Sequence, residues 1–147
     1  MRTRLGAFVL LSLAACRQPP PAAGPALSPF QVEEPVTATI AAALAADGRG
    51  ERADSLWDPT ATIIADGEIR VDVPRFAGVG SGGQVAITES RLDLRQTLAW
   101  VYLEYRWSQL NAGVVREGRA TVLLTPASSG GWKIVHAHSS TIRGDRS

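Results

Sequence analysis

Cysteine is almost absent from this chain: Cys16 is the only one in 147 residues. A lone cysteine excludes an internal disulfide and any metal site built from several thiolates. Lysine is scarce as well, since fourteen of the fifteen basic residues are arginine and only Lys133 is lysine. That bias reads as genomic composition and not as function. Neither sign of charge dominates, with 15 basic against 14 acidic residues, so no global field favours nucleic acid or an acidic substrate. There is no GxSxG, no phosphate-binding Walker loop, no HExxH and no cysteine nucleophile in a folded segment. What is present is a hydrophobic share of 45% with 20% charged residues. That balance excludes a disordered chain and a polytopic membrane protein, and the length suits one domain.

The start of the chain reads as an address. Arg2 and Arg4 precede an apolar run, Leu5 to Ala15, that ends at Cys16. Eleven residues at ~1.5 Å each fall short of a ~30 Å hydrocarbon core, so the run is a signal h-region over residues 1–15 and not a stable span. Leu13-Ala14-Ala15-Cys16 resembles a bacterial lipobox. The resemblance implies removal of the signal and acylation of Cys16, with two or more chains anchoring the protein stably to a membrane. Arg17 follows the cysteine, which resembles outer-membrane sorting facing the periplasm if the cell is Gram-negative. Loss of Arg2 and Arg4 takes the formal charge from +1 to −1, so the mature chain is nearly neutral.

Residues 16–29 combine that cysteine with a stretch, RQPPPAAGPALSP, holding five of the nine prolines. Proline denies backbone donors to helix and sheet, so this is a polyproline-like spacer able to reach ~40 Å. The fold is expected over residues 30–143, with 144–147 a tail. Val36, Ile40, Ala43 and Leu44 lie at helical spacing, with Glu33, Glu34 and Pro35 in the first turn and an end at Asp47-Gly48. A second short helix is expected over 51–56, broken by Trp57-Asp58-Pro59. Ala61 to Ala65 reads as a strand entering a hairpin at Asp66-Gly67. Pro74 to Gly83 is loop-like. Four long alternating runs follow, over 85–95, 97–108, 114–125 and 132–141. Two or three N-terminal helices packed on a curved antiparallel sheet make an α+β fold.

The segments Leu56-Trp57-Asp58-Pro59-Thr60-Ala61, Thr97 to Val101 and Gly131-Trp132-Lys133-Ile134-Val135-His136-Ala137-His138-Ser139-Ser140 resemble the SnoaL-like branch of the NTF2-like superfamily. The resemblance covers about three quarters of the chain, residues 31–143. It implies a cone, a curved sheet wrapped around helices, commonly dimeric and with a pocket inside. Relatives often place a lid helix where this chain has Pro74 to Gly83.

Alternation separates two sheet faces. Leu92, Leu94, Ala99, Val101, Leu103, Tyr105, Ala120, Val122, Leu124, Val135 and Ala137 form the inward set. The opposite set mixes charge with aromatics: Trp100, Tyr102, Trp132, His136 and His138 among Arg91, Arg106, Arg119, Glu89, Glu104 and Glu117. Those five aromatic and histidine side chains are the expected homodimer interface. An HxH pair on a strand puts two rings on one face, which is half of a metal site, so no metal and no cofactor are expected. If the protein is an enzyme of the ketosteroid-isomerase kind, working by acid–base catalysis on a small hydrophobic substrate, the candidates are Asp58, Asp66, His136 and His138. The turn chemistry at Asp58-Pro59 and Asp66-Gly67 speaks against that reading. A binding module needs less: Trp57, Ile63, Phe76, Tyr105 and Trp107 lining a cavity for a small apolar molecule. A third possibility is a role in envelope assembly. The reading that requires fewest assumptions is binding or assembly rather than catalysis, with no nucleic-acid partner.

Overall fold

The computed structural model describes residues 29–95 and 97–143. Cys16, the apolar run, the tether and the 144–147 tail lie outside the described residues. Helix α1 (Pro29–Arg49) follows the apolar spacing: Val36, Ile40, Ala43 and Leu44 are each 1% exposed or less. Its start differs from expectation. Pro29 opens the helix and Pro35 sits inside it. The N–H that Pro35 lacks removes one helical bond, and Thr39 Oγ1 donates to the Pro35 carbonyl at 2.9 Å.

The second helix is also corrected. Gly50 (φ 75°) and Ala53 (φ 44°) take left-handed backbone, which a right-handed helix cannot include. Only a single 3-10 turn, Asp54–Leu56, remains of it. Among the described residues, α1 is the one α-helix beside this turn and another at Leu110–Ala112. Trp57-Asp58-Pro59 opens strand β1 (Trp57–Ala65) instead of breaking the chain before it. Asp66 (φ 50°) and Gly67 (φ 83°) then form the expected two-residue hairpin into β2 (Glu68–Ile69).

The four long runs become β3 (Gln84–Arg95), β4 (Leu98–Gln109), β5 (Val114–Pro126) and β6 (Trp132–Ile142). They pair antiparallel in sequence order within one curved sheet, β2-β1-β6-β5-β4-β3. The sheet is not wholly antiparallel, because β1 and β6 run parallel. After the β1–β2 hairpin the chain crosses through residues 70–83 to the far edge. The meander then returns and lays β6 beside β1 in the same direction.

Face assignment holds along β3, β4 and β5. Ala99, Val101, Leu103, Tyr105, Ala120, Val122 and Leu124 are buried on the inner face. On β6 it fails by one residue. Leu123 pairs with His136 while Leu124 pairs with Ile134, so Val135 is the extra residue of a bulge. Ile134, at 0% exposure, takes the core place expected of Val135. The same bulge turns Trp132 inward, where it packs against the core cluster. Trp132 therefore does not share the outer face with Trp100, Tyr102, His136 and His138.

Candidate functional site

The concave side of the sheet is filled. The Phe76 ring lies 5.8 Å from Trp57 and 6.0 Å from Tyr105, edge-on to the latter. Trp107 packs over Gly80 and Gly83, and a Cβ at either would press on its indole ring. All four aromatics are 5% exposed or less. Burial pushes the Tyr105 hydroxyl far above its ordinary range, and that hydroxyl donates to the Ala77 carbonyl at 2.6 Å.

The concavity that remains is an open cleft of about 540 Å³ beside β1 and β2. It exists because β1 bulges. Trp57 pairs with Ile134 and Thr62 with His136, so five steps along β1 match two along β6. Of the residues between, Pro59 and Thr60 are exposed, while Ala61 packs against the core. An Asx turn holds them, with Asp58 Oδ1 accepting from Thr60 N–H at 2.8 Å and Thr60 Oγ1 at 2.6 Å. The Thr60 hydroxyl keeps the Asp58 carboxyl below the usual carboxylate range. Trp57, Ile63, Ile69 and Val71 give the cleft apolar surface, and Arg52, Arg70, Arg75, Asp54 and Asp58 its charged one.

Arg75 closes the inner end. It is 4% exposed; its guanidinium lies over the Trp57 ring, 5.0 Å from the centroid. It donates to the Arg52 carbonyl at 2.6 Å and pairs with Asp54 at 2.5 Å. The Arg75 bond holds the Asp54 carboxyl low.

Sequence reasoning missed Asp47. It is 2% exposed and accepts the backbone N–H groups of Arg75 and Phe76 at 2.5 and 2.8 Å. Burial pushes its carboxyl up to about 6, against the pull of those two N–H groups and of the Arg75 charge. The signal was in the sequence: position 47 continues the buried 36-40-43-44 stripe of α1. This desolvated acid faces a loop backbone, not a cavity.

The other candidate acids and bases are dispersed. Asp66 is tied in its turn and accepts from Thr141 N–H at 2.7 Å and Thr141 Oγ1 at 2.9 Å. His136 and His138 stand on the outer face opposite Leu123 and Thr121; neither lines the cleft, although His136 pairs with Thr62, which does. Among the described residues no cluster of three or more His, Cys, Asp or Glu is placed to hold a metal. Of the expected pocket residues, Trp57 and Ile63 line the cleft, whereas Phe76, Tyr105 and Trp107 are packed into the core. On the outer face Trp100 is 53% exposed. Further along the same face Arg106 pairs across strands with Glu117 at 2.8 Å, and Arg91 pairs along its own strand with Glu89 at 3.0 Å.

No protein-family model and no curated protein matches the sequence. Solved structures do match the fold. An NTF2-like superfamily protein from Salmonella enterica is 15% identical, with 80% of this chain and 96% of that one covered at a TM-score of 0.62. An NTF-2 like protein of unknown function from Pseudomonas aeruginosa is 16% identical, covering 76% and 98% at 0.55. A ketosteroid isomerase-like protein from Erwinia carotovora atroseptica is 16% identical, covering 77% and 95% at 0.50. What these proteins share with this chain is the fold.

Proposed function

On this NTF2-like fold, we propose that the chain is an envelope-anchored binding module that holds a small apolar molecule, and not an enzyme. The observation that carries the reading is the packing of the cone: Trp57, Phe76 and Tyr105 pack tilted and edge-on where an acid–base enzyme of this shape would keep substrate. The candidate carboxylates support it. Asp58 and Asp66 are committed to turns, and Asp47 to the backbone of residues 75 and 76. A general base must reach the proton it abstracts, and none of the three faces an enclosed apolar space. The open cleft beside Trp57 offers apolar surface with a few charged groups of both signs around it, as a binding site would.

The anchor is Cys16, with the proline-rich spacer keeping the domain clear of the membrane. Native mass spectrometry of the protein purified from its own envelope tests the reading. The expected result is a co-purifying small molecule whose occupancy falls in Ile69→Glu, a variant of an exposed cleft residue. A variant with undiminished occupancy, or a bare protein from every preparation, overturns it. Assembly is a second reading, favoured by the half-exposed Trp100 on the outer face.

A further inference from the structure

The sheet ends on two unequal edges: β2 is two residues long, whereas β3 runs for twelve. Among the described residues, no backbone group of β3 bonds to backbone other than that of β4. Every second residue of β3 therefore turns its N–H and C=O away from the sheet with no strand to meet them. Past the bulge at Thr88, the stretch from Glu89 to Arg95 holds no proline and no lysine, two residues that commonly guard such an edge. A groove of about 450 Å³, lined by Ser90 to Leu94 and by Glu33 of α1, leaves room beside it.

Charge is ordered along this edge. Glu89, Arg91, Asp93 and Arg95 share the outer face and alternate in sign. Within the chain they pair along the strand, Arg91 with Glu89 at 3.0 Å and Arg95 with Asp93 at 2.9 Å. Read backwards, the order of signs inverts. A second copy laid antiparallel about a two-fold axis at Leu92 consequently sets Glu89 opposite Arg95 and Arg91 opposite Asp93, each twice. Moving the axis to Arg91 or Asp93 sets like charges face to face. Moving it to Ser90 or Leu94 leaves half of the charges without a partner. On the inner face the axis at Leu92 brings that half-buried side chain against its own copy, and Leu94 against Ser90.

We propose that the β3 edge from Glu89 to Arg95 docks a second copy of this chain, strand to strand, with Leu92 on the two-fold axis. The pairing joins two sheets edge to edge and leaves Trp100 on the outer face uncovered. A two-stranded contact ~24 Å long is narrow beside the ~800 Å² per partner of a standard interface, so it is trapped by cross-linking crowded copies and not weighed by sedimentation.

Oxidation of the full chain by copper phenanthroline, in the cells that make it, tests this. Opposed residues of an antiparallel pair stand about 4.5–5.5 Å apart between Cα atoms, so Leu92→Cys should form a disulfide-linked pair of chains. Ser90→Cys alters an exposed side chain and leaves the core intact. Its two copies lie about 14 Å apart and should yield to a bismaleimide of that span but not to direct oxidation. Wild type, with Cys16 as its one cysteine, is the blank. In the Leu92→Cys chain, Arg91→Asp should lower the yield about tenfold, because it sets two pairs of aspartates face to face. Adding Asp93→Arg should restore the yield, even though the double variant sets like charges side by side within each strand. No link through either cysteine, a link to a chain of another mass, a yield indifferent to Arg91→Asp, or a double variant that stays low overturns the pairing.

Discussion

The carboxylate of Asp47, at the end of α1, accepts the backbone N–H of Phe76 at 2.8 Å, 29 residues further along the chain. One helical acid thus fixes the loop that carries the central aromatic of the core. The cost is a buried charge whose carboxyl titrates near 6 instead of 3.8. The folded state binds the proton more tightly than the unfolded chain does. Asp47 therefore contributes stability below pH ~4 that is lost as pH rises through ~6, about 3 kcal/mol for two pKa units. Urea unfolding of wild type and Asp47→Asn at pH 4 to 7 should give a stability difference that changes by this amount in favour of the variant. A difference that stays flat across that range would show that Asp47 is solvated in the folded protein.

Gly118 on β5 lies against the Tyr105 ring, and a Cβ there would come within 2.5 Å of it. The ring cannot retreat, because Phe76 and the Ala77 carbonyl hold its other side. Gly118→Ala should destabilise by about 1–3 kcal/mol through overpacking. The check is a lower urea midpoint with an unchanged slope; an unaltered midpoint would mean that Tyr105 is free to move.

The outer sheet face carries Trp100, Tyr102, His136 and His138, with Trp132 removed from it by the bulge. We expect the chain from Arg17 onward to sediment as a dimer through this face, since a monomer seldom exposes such a patch and ~800 Å² per partner suffices for a stable contact. Trp100→Glu should yield a monomer. Sedimentation that shows a monomer from the outset, or a dimer indifferent to Trp100→Glu, would place the interface elsewhere.

Cys16 should take up labelled palmitate in cells and carry the protein into the membrane fraction. Cys16→Ala should abolish both. Label that survives the substitution would show that acylation occurs at another residue or that the label is not acyl.

Much of the fold was legible because its signals are local. Period-two alternation marked β3 to β6 to within one or two residues, and period-3.6 spacing marked the buried stripe of α1. Asp66-Gly67 specified its hairpin, since few other pairs accept two positive φ angles. The resemblance of the Trp132 to Ser140 segment pointed to the NTF2-like cone that the solved structures match. Tertiary structure decided what depends on distant partners. The Val135 bulge exists only where β6 pairs with β5, and it alone moved Ile134 and Trp132 inward. The parallel β1–β6 pairing follows from the crossover, to which no local pattern refers. Asp47 looked like part of a helix stop because its partners, the N–H groups of residues 75 and 76, are remote in sequence. Phe76 read as pocket lining for the same reason: a side chain's hydrophobicity calls for burial, and only the packed chain shows whether it borders a cavity or fills one.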